Sequence, residues 1–468
     1  MSTMKFPYKT EYGEFAEDGA SYLIQRPDTP RPWVNVMSSG TYGVAMSQTG
    51  SGYSWLHHAS LNRLTRWNQD LIQDNIGRSL YMRDESTGKF WSLGWQPVRA
   101  KPESYEVIHG VGFTIINSQN EGIQCQWLVF VPHDEPLEVW RLRIKNTTKR
   151  PRKLTLWSYL EWNLGESPDS HREFHKTFIE TSTHDGNKIL LAKKRLSPLR
   201  NSKGQLWNRN WDHVAWHAIS LPTKSFSCDK QAFLGNYGST QDPAALKEGK
   251  YVGPTTHKWD DSIASFCVEI SLKPGEEKSL LSSIGAADSQ SQALVKARQF
   301  MDFSQVDSGW GRTESFWDHY LAAFPIKTPD RSFDASDQHL AEIPSPFRTA
   351  LGSYGVLPNG RGLRVSRSTS GQPSVLTVGC GRDTQTDSFA RGPPIHRWDC
   401  VSLVAPPLGR GASLGLFRRS SLASVCDDEL SQRDGLLGPP VGKGPVCGTF
   451  GSQSENHGDP PRSRHSRY

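Results

Sequence analysis

Two histidines four residues apart, in the run His171-Arg-Glu-Phe-His175, have the i, i+4 spacing that can bring two imidazoles onto one metal ion. The run is not H-E-x-x-H and sits among polar residues, so a solvated surface loop is the expectation. A second pair, His57-His58, reads as a surface turn. The stretch Gln48-Thr-Gly-Ser-Gly-Tyr-Ser-Trp55 has the glycines of a phosphate loop. It lacks the Lys-Ser/Thr that would follow them and any βαβ setting, so a close-packed turn is expected. Phe90, Trp91 and Trp95 stand beside glycine and proline, where aromatic rings can serve as platforms for sugars. Core packing is the commoner use of such rings. Types and spacing alone assign no catalytic, cofactor-binding or metal-ligating residue.

The elements that must position these residues are mostly strands. Glu11 to Gln25 reads as short strands around Glu17-Asp18-Gly19, and the prolines of Arg26 to Pro32 exclude helix. Trp33 to Met37 and Tyr42 to Ser47 are strands joined at Ser38-Ser-Gly40, and Gln48 to Trp55 is a link. In Glu138 to Asn146, Trp140, Leu142 and Ile144 fall on one face and Arg141, Arg143 and Lys145 on the other. With Lys153 to Leu160 returning, the pattern predicts a half-buried antiparallel hairpin. Phe266, Val268, Ile270 and Leu272 repeat the alternation, with a turn at Lys273 to Glu277 and a return over Lys278 to Ile284. The period then changes to that of helices over Ser289 to Phe303 and Thr313 to Phe324, joined near Asp307-Ser-Gly309. The fold class expected is mainly β: a large antiparallel sandwich followed by a two-helix linker.

The chain changes character at Phe333-Asp334-Ala335-Ser336. Of its 16 Trp, only Trp398 lies beyond Ala335, and the basic residues there are 14 Arg and a single Lys, Lys443. Gly, Pro, Ser and Arg dominate, and such a composition cannot bury enough apolar surface to offset chain entropy. The expected division is 1–285 sandwich, 286–335 helical linker, and 336–468 disordered tail. A net charge of +6 spread along the chain does not suggest a nucleic-acid partner. Seven Cys, none in a C-x-x-C, suggest neither a disulfide framework nor a zinc site. The N-terminus has no apolar core and no run of about 18 apolar residues occurs. The expected setting is cytoplasmic, with no membrane.

Arg26-Pro-Asp-Thr-Pro-Arg-Pro-Trp-Val-Asn35, Ser47 to Ser54, Arg63-Leu-Thr-Arg66, Tyr81-Met-Arg-Asp84 and Trp91 to Pro97 together resemble the N-terminal domain of the family ninety-four glycoside phosphorylases. Glu161-Trp162, Ala232-Phe-Leu-Gly235 and Lys327-Thr-Pro-Asp330 fit the same pattern, so the resemblance runs from Tyr12 to Ala335. It implies an N-terminal β-sandwich, a helical linker and an (α/α)₆ barrel that holds the chemistry. It also implies β-linked glucosides or related sugars as substrates, inorganic phosphate as co-substrate with no other cofactor, and a homodimer through the sandwich. On this reading Trp55, Arg63 and Arg66 can edge a sugar site and His57-His58 can face the barrel mouth; core packing and structural ion pairs account for the first three as well.

The barrel is expected where the composition changes, and codon arithmetic accounts for its absence. Val356-Leu-Pro-Asn-Gly360, written GTT CTA CCA AAC GGG, gives Phe-Tyr-Gln-Thr-Gly when read one base later. Extended through Gln372, the shifted frame allows a run containing Gly-Phe-Arg-Asp that resembles a hallmark of the family's barrel. Ser336 to Ser345, Leu403 to Pro407 and Phe417 to Ser424 allow three more such runs, in order. The tail thus resembles a frameshifted catalytic domain, and no position inherits the roles of the catalytic acid or the phosphate-holding groups. Three functions remain open: a phosphorylase by lineage that has lost its catalytic half, a carbohydrate-binding sandwich, and a non-functional truncated product.

Overall fold

The computed structural model describes residues 8–322, except 10, 17–19, 68–71, 75–76, 167–172, 197–198, 201, 205, 209 and 253–260, together with four short strands between 355 and 404. In chain order the strands up to residue 287 are β1 (Tyr8–Lys9), β2 (Gly13–Phe15), β3 (Ser21–Ile24), β4 (Val34–Ser38), β5 (Tyr42–Ser47), β6 (Gly52–Leu56), β7 (Arg63–Thr65), β8 (Arg78–Asp84), β9 (Phe90–Ser92), β10 (Ser104–Gly110), β11 (Phe113–Asn120), β12 (Ile123–Phe130), β13 (Leu137–Asn146), β14 (Arg152–Gly165), β15 (Ile179–His184), β16 (Ile189–Lys194), β17 (Leu199–Arg200), β18 (Leu206–Asn208), β19 (Val214–Ile219), β20 (Ser225–Asp229), β21 (Ser262–Leu272) and β22 (Glu277–Ala287). Eleven form one antiparallel sheet in the order β1-β2-β3-β10-β11-β12-β13-β22-β19-β16-β15. Nine form a second, β20-β21-β14-β7-β6-β5-β4, with β8 attached to β14 and β9 to β8. The apolar alternation of both sheets fills one layer between them. From the first sheet come Val107, Trp127, Trp140, Leu142 and Ile144, and from the second Val44, Met46, Leu64, Leu80 and Leu156. This is the antiparallel sandwich that the period-2 pattern predicts.

The pairing differs from the expected hairpins. β13 does not pair with β14: it lies between β12 and β22, while β14 lies between β21 and β8. Likewise β21 and β22 lie in different sheets. The loops 147–151 and 273–276 are arches that carry the chain from one sheet across to the other. An arch sets the apolar faces of its two strands against each other across a gap of about 10 Å, whereas a hairpin sets them side by side. Asn146 ties the two arches together: its Nδ2 donates to the carbonyls of Arg150 (2.8 Å) and Lys273 (3.1 Å), its backbone NH donates to Glu276, and its carbonyl accepts from Gly275.

The inter-sheet layer also holds charge. Arg78 on β8 meets Glu138 on β13 at 2.8 Å, both side chains fully buried. The Tyr42 hydroxyl, Trp140 Nε1 and Ser54 hydroxyl also donate to Glu138. A charge so deep in low dielectric is tolerated only when paired and hydrogen-bonded on all sides.

The helical period is realised as α3 (Gln290–Gln299) and α4 (Phe303–Ala322), preceded by the short α1 (Lys230–Leu234) and α2 (Ala244–Glu248). The break between α3 and α4 falls at Phe300–Asp302, not near Asp307-Ser-Gly309, and α4 begins ten residues earlier than the period suggests. Asp302 accepts from the Ser304 NH at 2.7 Å and so starts the helix. Gly309 lies inside α4 because that face approaches closely: a Cβ there would stand 3.4 Å from Phe300 and 3.7 Å from Pro132. The buried Ala293, Ala297, Phe300 and Val306 cover the outer face of the eleven-stranded sheet at Ile115, Leu128, Phe130 and Leu281. Trp310 packs edge-on against Phe113 and Phe130. On the other sheet, α1 and α2 set Phe233, Ala245 and Leu246 on Tyr81, Trp157 and Tyr159.

Within the segment expected to lack structure, Gly355–Val356, Gly362–Ser366, Val375–Gly381 and Val401–Val404 pair as a four-stranded antiparallel sheet. The rest of that segment, residues 323–335 and the disordered tail expected from 336 lie otherwise outside the described residues.

Candidate functional site

The glycine-rich link is a tight turn followed by a strand: Ser47 and Ser51 close the turn and β6 begins at Gly52. Trp55 on β6 is fully buried with Tyr53, Ala59 and Trp67. Its indole lies on β5, where a Cβ at Gly43 would come within 2.2 Å of it. Arg63 lies 4.4 Å over the Tyr53 ring and donates to the carbonyls of Ala59 and Trp67. Trp55 and Arg63 are therefore packing residues. Trp91 is core as well; Trp95 is half-buried, with the Arg99 guanidinium 5.5 Å from its ring. His58 accepts from the backbone of Ser60 and Leu61, a surface turn as expected. His57 adopts φ 61° and its ring lies 6.4 Å from that of His213. His175 departs from expectation. It is buried, in a 3-10 turn over Glu173–Phe178, because that turn packs against the end of β14 rather than looping into solvent. His171 lies outside the described residues. Among the described residues, no three His, Cys, Asp or Glu converge as metal ligands.

Arg66 belongs to an ionic cluster. Glu161 on β14 takes Arg66 at 3.4 Å, Lys230 at 2.9 Å and the Tyr159 hydroxyl at 2.7 Å. Asp261 takes Lys176 at 2.7 Å and Lys230 at 3.3 Å. Burial acts to lower the Lys230 pKa, but the two carboxylates outweigh it and the group is raised. Burial acts to raise Asp261, but Lys230 and Lys176 hold it below the usual range. These ion pairs tie five chain segments together: the end of β7 (Arg66), β14 (Glu161), the 3-10 turn (Lys176), α1 (Lys230) and the start of β21 (Asp261). Asp74 is a carboxyl that burial does push up, against the hydroxyls of Thr49, Ser47 and Ser51. At 4% exposure beneath the β5–β6 turn it cannot reach a substrate. Lys194, pushed down to about 8 by burial, is likewise enclosed, with Nζ 3.3 Å from the Asn163 carbonyl.

A hollow of about 460 Å³ opens on the part of the eleven-stranded sheet's outer face that α3 and α4 leave free. Its floor is a row of residues brought opposite each other by register: Glu106 on β10, Asn117 on β11, Gln126 on β12 and Arg143 on β13. Asn117 Nδ2 donates to Glu106 at 2.9 Å and Gln126 Nε2 donates to Asn117 Oδ1 at 3.1 Å. A second row sets Gln124, Lys145 and Glu277 side by side. Sequence reasoning missed this site because its members come from strands far apart in the chain. The available signal was the run of outward polar positions alternating with apolar ones in β10 to β13.

Two facing antiparallel sheets of eleven and nine strands, with helices sealing part of each outer face, make this a large β-supersandwich. Residues 20–303 match the family described as glycosyl hydrolase 94, supersandwich domain, and the chain belongs to that family. It is 27% identical over 328 residues to an N,N'-diacetylchitobiose phosphorylase of Vibrio furnissii, a match covering 69% of this chain and 39% of the relative. It is 29% identical over 331 residues to a 3-O-beta-D-glucopyranosyl-beta-D-glucuronide phosphorylase of Paenibacillus borealis, again covering 69% and 39%. The chain thus spans about two fifths of the length of these curated relatives. Among solved structures, a bacterial glucoamylase complexed with acarbose aligns over 68% of this chain and 43% of its own, with 7% identity and a TM-score of 0.39.

Proposed function

We propose that residues 1–285 and 286–335 are the sandwich and linker of an inverting disaccharide phosphorylase, that residues after Ala335 are an out-of-frame reading of its catalytic barrel, and that the chain as written does not catalyse phosphorolysis. The observation that carries this is the similarity to sugar phosphorylases over 69% of the chain, set beside the loss of Trp and rise of Arg beyond Ala335. The four ordered family-like runs in the shifted frame support it.

The reaction requires a carboxylic acid that protonates the glycosidic oxygen as the C–O bond breaks. A phosphate oxygen must at the same time bond to the anomeric carbon from the opposite face, giving a sugar 1-phosphate and a free sugar. Phosphate needs cations and NH donors to hold it, but no base to activate it. Inside the sandwich, Arg78 with Glu138 and Arg152 with Asp84 are closed buried pairs, so neither of these carboxylates faces an open cradle of donors.

The test incubates the purified 468-residue chain with phosphate and chitobiose or cellobiose, beside a version with the frame restored after the Ala335 codon. Sugar 1-phosphate is expected from the restored version alone. Product from the chain as written overturns the loss of activity, and an inert, insoluble restored protein overturns the frameshift.

A further inference from the structure

We propose that the outer-face hollow is a binding site for an uncharged oligosaccharide laid across the strands. The volume, about 460 Å³, suits a small ligand rather than a protein partner. Tyr105 lines the hollow, but its side chain is buried in the sandwich with its hydroxyl donated to the Gln48 carbonyl, so it offers no exposed aromatic anchor of the kind that protein interfaces centre on. Instead, the groups of the floor are carboxylate, amide, amide and guanidinium in a row. The hydrogen bonds from Asn117 to Glu106 and from Gln126 to Asn117 use one donor of each amide and fix the planes of both. That leaves each amide a second N–H, and leaves Gln126 its carbonyl oxygen and Glu106 its second carboxylate oxygen. Donors and acceptors alternate across the row, as hydroxyl groups that both give and take a hydrogen bond require.

Charge excludes the other small-ligand classes. Glu106 at one side and Glu277 at the other offset Arg143 and Lys145 between them, and all four are exposed. A phosphate or other anion would meet two carboxylates, and a cation two positive side chains. A neutral polyol meets neither penalty. Neighbouring strands stand about 4.8 Å apart, close to the length of one pyranose unit, so consecutive sugars of a β-linked chain fall over consecutive strands. The site is lined by residues of the sheet alone, so it stands whether or not the chain is a phosphorylase fragment.

The experiment runs the full 468-residue chain in native gels with and without hydroxyethylcellulose, a soluble β-linked glucan, and in parallel with dextran sulfate. The wild type should be retarded by the neutral glucan. Asn117→Ala combined with Gln126→Ala should lower the relative affinity about tenfold, two hydrogen-bonding groups being lost. Val295→Ser, on the exposed side of α3, should leave retardation unchanged. Thermal unfolding confirms that each variant is folded. No retardation of the wild type overturns the proposal. So does equal retardation of wild type and double variant, or retardation by dextran sulfate alone, which would mark a charge effect.

Discussion

A single strand displays two opposite treatments of polar groups. β13 turns Glu138 inward, where an arginine, a tyrosine, a serine and a tryptophan surround it and water has no access. Three, five and seven positions further along, it turns Arg141, Arg143 and Lys145 outward, and of these three only Arg141 has an ion pair among the described residues, with Asp307 on α4. The inner carboxylate is fully committed, because in low dielectric an unpaired charge costs several kcal/mol. Arg143 and Lys145 are exposed, so their heads can take a ligand. The inner face thus fixes how the two sheets sit on each other, and the outer face keeps its hydrogen-bonding capacity in reserve.

The comparison breaks most sharply at Glu138. Glu138→Ala strands Arg78 in the core and should cost about 3–5 kcal/mol in urea unfolding. Glu138→Leu combined with Arg78→Met should recover most of that loss; a double variant as unstable as the single would show that the charge pair itself supplies the stability. Next comes the tie between arches. Asn146→Ala leaves the carbonyls of Arg150 and Lys273 without their donor and should cost about 1–3 kcal/mol by the same measurement.

A third test uses pH. Burial pushes His217 down to about 3, so the ring stays neutral in the folded protein. The unfolded chain protonates it below about 6.5, so the unfolded state binds more protons. Stability present above that pH is lost as pH falls from about 6.5 toward 3. Relative to the wild type, His217→Gln should gain stability on moving from pH 7 to pH 4; a constant difference would refute the buried neutral ring. The smallest effect belongs to the outer face. Asn117→Ala, on an open sheet surface, should stay within about 0.5 kcal/mol of the wild type. A larger loss would mean the polar row is structural rather than available for binding.

Much of the fold was legible in the sequence because in-and-out alternation is a local signal. Trp140, Leu142 and Ile144 declare their face without reference to anything distant. The partner of that strand is not a local fact. A short polar loop between two alternating strands serves a hairpin and an arch equally well, and only the facing sheet decides. Gly309 was read as a break because isolated glycine weakens helices, yet it sits in α4 where Phe300 and Pro132 come close. His175 looked solvated from its polar neighbours, and it is packing that buries it. The row from Glu106 to Arg143 was illegible for the same reason as the arches: register across four strands made it.

The arches also set a timetable. β13 finds one of its partners in β22, and β14 finds one of its partners in β21, more than a hundred residues later in synthesis. Neither sheet can close its middle until its own late strand exists, and stapling at Asn146 waits for the 273–276 loop. A nascent chain therefore carries one edge each of β13 and β14 unpaired while the intervening residues up to β21 and β22 are made. Contacts so far apart in the chain also slow refolding from denaturant. Over that interval the exposed strand edges are what a chaperone would shield and what a neighbouring chain would capture.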